Sequence, residues 1–371
     1  EITAENFVYN KSKNILNVKG NVKFIDNNIN LTVFSDKATY LKSDELIFTD
    51  GNSKAISQNN IITSSNFKLD ITKNILVADK KFKYLDNKDG FIILSNKAIY
   101  NKNKDTVFTE GESIAVYENY KLTALNFKFD RIKNILNADK NVEVNDKENQ
   151  IKIYSDKATY QKNEEIILTK GNSKAINKKN IITASNFKFD RKENILTAEN
   201  KVKFEDKEKD TIITSDRARY LKEKEIILTG KNSTALVANK YSFSSTNVKY
   251  DKNNQQISSE NNSKIIDDNG NIYETSNFLY QIDNKTLKAK NVNAVIQIDK
   301  NKKDNYFFAE GFFNFGNKKF ITKETNIKIH KDIFENNEQD PRLYGSSSFG
   351  DDKKTIINKG IFTSCKINDS C

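Results

Sequence analysis

The chain has 371 residues, a net charge of +11, 36% hydrophobic and 30% charged residues, and 1 Pro against 12 Gly. This composition excludes a collagen-like or Pro/Gly-rich disordered chain, and no run of 18 apolar residues exists that would cross a membrane as a helix. The positive balance admits nucleic acid, anionic headgroups or phosphorylated sugars as partners, but the Lys residues lie in mixed Lys/Asp/Glu turns, the pattern of a solvated surface.

The first element, Ile2-Thr-Ala-Glu-Asn-Phe-Val-Tyr9, reads as a strand. Met is absent, so this start is expected to be a processed or cropped end. From here a unit returns every 60 residues: Asn6-Phe7, Asn66-Phe67, Asn126-Phe127 and Asn186-Phe187, with Ser35-Asp-Lys-Ala38, Ser95-Asn-Lys-Ala98, Ser155-Asp-Lys-Ala158 and Ser215-Asp-Arg-Ala218 between them. Polar turns such as Asp70-Ile-Thr-Lys73, Asn101-Lys-Asn-Lys104, Asp130-Arg-Ile-Lys133 and Gln161-Lys-Asn-Glu164 start 29 to 31 residues apart, so each unit is two related halves. A fixed period means one supersecondary unit copied and stacked.

The segments between the turns alternate, as in Asn186-Phe-Lys-Phe-Asp190 and Lys201-Val-Lys-Phe-Glu205. Alternation of period two with hairpin-sized turns predicts half-buried antiparallel strands. Apolar residues fall in columns: Phe7, Phe67, Phe127 and Phe187; Tyr9, Leu69, Phe129 and Phe189; Leu16, Leu76, Leu136 and Leu196; and a small-residue column of Ala38, Ala98, Ala158 and Ala218. From about residue 231 the repeat loosens, and Asn305 to Phe315 forms a last strand set. Residues 335–354 read as a loop leaving the repeat body, and Lys354 to Thr363 as a final strand leading to Cys365 and Cys371.

No catalytic constellation is present. The single His, His330, is expected on the surface after the last strand, and no Gly-rich phosphate loop or nucleophile elbow occurs. Exposed aromatics between Lys residues could stack nucleic-acid bases, but such readers carry few aromatics, whereas these form long columns. Two readings of the columns stand: core filling between two sheets, or two sheets that part on one side and leave an apolar groove along the stack.

The segment Ile2 to Phe24 resembles the repeat of the OstA-like lipopolysaccharide-transport family: a strand with Ala and Tyr, a turn, then a Gly-Asn-Val strand. Copies at 66–84, 126–144 and 186–204 look the same, although several replace the Gly by Lys or Asn. The resemblance covers roughly residues 1–330. Phe362-Thr-Ser-Cys365 followed by Cys371 resembles the aromatic-Thr-small-Cys junction of the outer-membrane assembly (LptD) branch, where a β-barrel follows a second Cys. The repeat body is longer than the usual family domain, and the gap between the cysteines is wider than in the shortest family versions.

The resemblance implies an all-β fold, an elongated antiparallel β-jellyroll or β-taco of stacked half-units, over residues 1–330. Residues 331–371 would be a junction leading to a barrel. It implies a non-catalytic domain on the periplasmic face of a Gram-negative outer membrane, guiding lipopolysaccharide by its lipid A acyl chains. Groove candidates are Phe7, Tyr9, Phe67, Leu69, Phe127, Phe129, Leu136, Phe187, Phe189 and Leu196. The first strand, through Ile2, Ala4, Phe7 and Tyr9, would dock an LptA-like bridge protein by β-augmentation, and an LptE-like lipoprotein would accompany the barrel. In an oxidising periplasm Cys365 and Cys371 are disulfide candidates, with each other or with the barrel. No cofactor, metal or nucleic-acid partner is expected. The competing readings are an LptA-like bridge protein and a structural surface repeat without lipid binding.

Overall fold

A computed structural model of the chain describes residues 1–88, 90–299, 302–334 and 339–366. Among them every regular element is a β-strand except two short 3-10 turns, Lys222–Lys224 and Lys331–Phe334. The chain divides into two compact units, residues 1–178 with 186–193, and residues 179–185 with 194–371.

The hairpin turns explain the polar punctuation. Asp70 Oδ1 accepts a bond from the Lys73 backbone N–H at 2.9 Å, and Asp130 and Asp190 do the same for Lys133 and Glu193. The carboxylate fixes the turn, and Asn74, Asn134 and Asn194 then take left-handed φ values of 54°, 54° and 53°.

Each 60-residue copy alternates one long hairpin with shorter strands. In unit 1, Ile75–Asp86 pairs along its length with Phe91–Asn101, and Ile135–Asp146 with Ile151–Gln161. Register slips in the middle of both pairs. The slip in the first long strand of each pair falls at two successive left-handed residues, Lys80 and Lys81 (φ 65° and 54°) and Lys140 and Asn141 (φ 66° and 53°). This bulge creases the strand. Its first half belongs to one hydrogen-bonded layer, here layer A, and its second half to another, layer B. The short strands fill the layers. Between the long strands Leu31–Leu41 and Ile75–Asp86, layer A holds Leu46–Asp50 and Asn66–Asp70, while layer B holds Ser53–Ser57 and Asn60–Ser64. Unit 2 repeats the plan, with long hairpins Ile195–Asp206 with Thr211–Leu221 and Thr286–Gln297 with Lys303–Asn314.

The Ser-x-x-Ala motif sits at the crease. Ser155 Oγ donates to the backbone carbonyls of Lys157 and Lys170, at 3.0 and 3.1 Å, satisfying acceptors that the slipped register frees. Ala98 and Ala158 lie opposite Ala78 and Ala138. All four are buried, and near the crease the converging layers leave room only for small side chains.

The layers face each other, and the core lies between them. In unit 1, Tyr84 of layer B meets Phe129 of layer A at 5.9 Å between ring centroids, Phe91 meets Phe129 at 4.9 Å, and Tyr120 meets Tyr160 at 4.9 Å. In unit 2, Phe243 stacks on Phe278 at 5.3 Å. Each such ring stabilises the fold by roughly 1.5–3 kcal/mol of burial, with somewhat more from ring geometry.

Three expectations are corrected. The first strand is two strands, Ile2–Thr3 and Asn6–Asn10, because Ala4 and Glu5 cross the crease. Residues 335–354 are not all loop: Glu335 to Glu338 lie outside the described residues, but Arg342–Gly350 is a strand paired with Lys319–Lys328. Its Gly345, Ser346, Ser347 and Ser348 mask the alternation. The final strand is two pieces, Thr355–Asn358 and Ile361–Thr363, parted at Lys359 with φ 49°.

Candidate functional site

Three places in this architecture can carry function: the interior between the layers, the mouth opposite the crease where hairpin tips of both layers come together, and the exposed first copy.

The structure places eight of the ten groove candidates in the interior. Phe67, Leu69, Phe127, Phe129, Leu136, Phe187, Phe189 and Leu196 are each 1–2% exposed. Phe7 and Tyr9, which continue the same two columns, are 51% and 47% exposed. Nothing in the local sequence separates Phe7 from Phe67. Phe67 is covered by copies on both sides, Phe7 by a copy on one side. The whole strand Asn6–Asn10 is exposed. Ile2 pairs with Phe24 and is half-buried, and Ala4 lies in the crossing between the two strands.

In unit 2 the interior is not fully occupied. A cavity of about 550 Å³ lies among Tyr273, Ile296, Tyr306, Phe308, Phe313 and Phe320, with Lys318, Asp351 and Lys353 at its rim. The aromatic wall suits an apolar chain, while the rest of the lining, Asp267, Asn271, Gln297, Asn314, Lys319, Asp352 and Lys354 among it, is polar and charged. A larger recess of about 710 Å³ in unit 2 is lined by Ser233, Ser244, Asn262 and other hydroxyl and amide groups, which an apolar chain would not prefer.

The mouth carries charge, and sequence reading missed it. In unit 1, Arg131 Nε of a layer A turn meets Asp86 Oδ2 at the end of a layer B strand, at 3.2 Å, while its Nη1 meets Asp105 at 2.8 Å. Arg191 repeats this with Asp146 at 2.8 Å and Glu165 at 3.1 Å, its guanidinium 4.5 Å from the centre of the Tyr120 ring. In unit 2, Lys252 Nζ lies 3.4 Å from Asp206 Oδ2, and Tyr250 donates to the same oxygen at 2.8 Å. Burial by itself would raise the Asp146 carboxyl. Hydrogen bonds from Asn149 and Arg191 outweigh burial and hold it below its ordinary value. Burial pushes the Tyr160 hydroxyl up to about 12 and raises the Tyr84 and Tyr120 hydroxyls as well.

His330, expected on the surface, is half-buried, with Nδ1 2.8 Å from Asp304 Oδ1. Cys365 is disulfide-bonded, and Cys371 lies outside the described residues. Among the described residues no His/Cys/Asp/Glu group is arranged to hold a metal ion, and no helix is long and apolar enough to cross a membrane.

A family described as LptA/(LptD N-terminal domain) LPS transport protein matches residues 1–121, the stretch that opens the repeat. Among solved structures, the chain is similar to LptH from Pseudomonas aeruginosa, described as the LptA homologous periplasmic component of the lipopolysaccharide transport device. That similarity has 16% identity and a TM-score of 0.28, and covers 29% of this chain and 81% of that one. No curated protein matches.

Proposed function

We propose that this chain is a lipopolysaccharide-transport domain that takes up lipid acyl chains between its two layers. The observation that carries the reading is the apolar inner face that each copy presents, together with the cavity of about 550 Å³ in unit 2, one wall of which is aromatic. Each methylene moved from water into such a space gains about 0.8 kcal/mol, so a ten-carbon segment gains roughly 8 kcal/mol before ordering costs. The family match over residues 1–121 supports the same role. On this reading the domain works in the periplasm and hands lipid to an outer-membrane barrel, the barrel being attended by an LptE-like lipoprotein. The exposed strand Asn6–Asn10 offers unpaired backbone groups and the Phe7 and Tyr9 rings to an LptA-like bridge protein.

The test is a photo-reactive benzoylphenylalanine placed at Phe127, Phe187 or Phe313 in cells making lipopolysaccharide. Lipid adducts are expected, at Phe313 above all. A second reading, a structural repeat protein with a closed core, is favoured by the near-complete burial of the repeat columns. Cross-links only to protein neighbours at all three positions would establish that second reading and remove the first.

A further inference from the structure

The ion pairs at the mouth form a series, and the series is broken at both ends. The layer B carboxylates are Asp26, Asp86, Asp146, Asp206 and Asp267, one per copy. The layer A residues in the corresponding turns are Ile71, Arg131, Arg191, Lys252 and Phe315. The three cations occupy the three middle copies and pair across the mouth. At the two ends an apolar residue stands in the cation's place. At the second of these places, in unit 2, the interior is open. At the first, Phe67 and Leu69 beside Ile71 are buried, and the exposed Phe7 and Tyr9 lie one copy earlier, where no neighbour covers them. Asp267 and Phe315 both line the cavity of unit 2, and there Asp267 turns to the Tyr273 hydroxyl at 3.0 Å and to Asn271 at 2.9 Å.

We propose that the Asp86–Arg131, Asp146–Arg191 and Asp206–Lys252 pairs are latches. They hold the two lips of the mouth together, and they close the middle copies to apolar guests while the last copy, in unit 2, stays accessible. The geometry suits a releasable closure. Each pair joins two hairpin tips that, among the described residues, no backbone hydrogen bond ties across the mouth. The tips are the least constrained parts of their strands. An apolar contact at these positions would hold the lips without direction, whereas an ion pair fixes their register and yields when one partner finds another counter-charge. The side chains are sheltered: Arg191 and Asp146 are 2% and 0% exposed, and Asp206 is 0% exposed. Salt therefore screens the Asp146–Arg191 pair poorly, and the pairs of Arg131 and Lys252, each 19% exposed, somewhat more.

The first copy is already built to accept the missing latch. The Arg131 and Arg191 backbone N–H groups donate to the carbonyls of Asp105 and Glu165, whose carboxylates also grip the guanidinium. The Ile71 N–H donates in the same way to Glu45, so Glu45 and Asp26 stand where the two partners of an arginine would be.

The purpose of the latch rests on the lipid reading, but its existence does not, so the test is run on the full chain without lipid. Nitroxide labels on Lys147→Cys and Lys192→Cys report the width of the mouth at the buried level by double electron–electron resonance. The wild-type pair is expected to give one short distance. Asp146→Asn is expected to add a longer population and to raise binding of the neutral dye N-phenyl-1-naphthylamine about fivefold, the equivalent of one weakened ion pair. Ile71→Arg should do the opposite and lower dye binding by a similar factor. Should Asp146→Asn fail to fold, Arg131→Gln, at the more exposed level, takes its place with labels on Lys88→Cys and Ile132→Cys. An unchanged distance and unchanged dye binding in a folded variant, or no effect of Ile71→Arg, would overturn the latch. Lipid cross-linking could still succeed in that case.

Discussion

Ala98 sets the tolerance of the crease. It is fully buried, faces Ala78 across the hairpin and Thr109 on the other side, and lies where the layers converge. Ala98→Leu should cost about 1–3 kcal/mol by overpacking, read as a lower denaturant midpoint with an unchanged slope. An unchanged midpoint would mean that the crease is loosely packed. The small-residue column was visible in the sequence, and so was its partner Ser. Asp146 is the contrasting case. Its pKa is held below the ordinary 3.8, so the folded state binds its proton less readily than the unfolded chain. Its contribution is present above the unfolded value and is lost as pH falls through the lowered folded value. Wild type should therefore lose stability on acidification below about pH 4, and Asp146→Asn should flatten that acid limb of a midpoint-against-pH curve. An acid limb of unchanged steepness would show that Asp146 does not titrate with folding. This residue's role was not legible in the sequence, because its partner Arg191 belongs to the other layer. Which tips meet across the mouth depends on the crease angle, which no local pattern encodes.

At the scale of the strand, period-two alternation and the Asp/Asn turns made nearly every hairpin readable, because each turn is fixed by its own side chains. The crease was not readable. A long strand such as Ile75–Asp86 looks continuous in sequence, and the bend falls on Lys80 and Lys81, which carry no turn signature. Gly20 at φ 84° in the first copy, and Asn141 and Asn200 in two later ones, are residues that this conformation favours, but none of them stands beside a turn signature. Two successive left-handed lysines store strain of about 1 kcal/mol or more each. Lys80→Gly should therefore stabilise the protein by roughly 0.5–1 kcal/mol, the net of relieved strain and added unfolded-state entropy. Lys80→Val should destabilise it, because a β-branched side chain resists positive φ. Thermal midpoints of the two variants decide the matter: if Lys80→Gly melts below wild type, the bulge is held by lysine contacts and not against strain. The same reasoning explains the failure at Arg342–Gly350, where Gly and Ser remove the pattern while backbone pairing persists.

For the molecule as a whole, the repeat was the most legible feature and the open or closed state of its interior the least. Every copy presents the same columns, so the sequence could not say that Phe127 is covered while Phe7 is exposed. Coverage is a property of neighbours, and repeat proteins draw stability from neighbour interfaces more than from any one copy. This makes a distributed prediction possible. In native-state hydrogen exchange, amides of Asn6–Asn10 should exchange fastest among the paired strands, since the strand is exposed throughout and pairs on one side only. Amides of Asn126–Asp130 and Ile135–Asp146, buried beneath a latched mouth, should exchange slowest within unit 1. Asp146→Asn should then quicken exchange in Ile135–Asp146 and in the strands bonded to it, Ile151–Gln161, Tyr120–Ala124 and Asn126–Asp130, while leaving Ile15–Asp26 unchanged. A uniform rise across unit 1 would mean that the unit opens as one cooperative body. In that case the latches would not open copy by copy, and on the proposed lipid reading uptake would have to proceed by opening the entire unit at once.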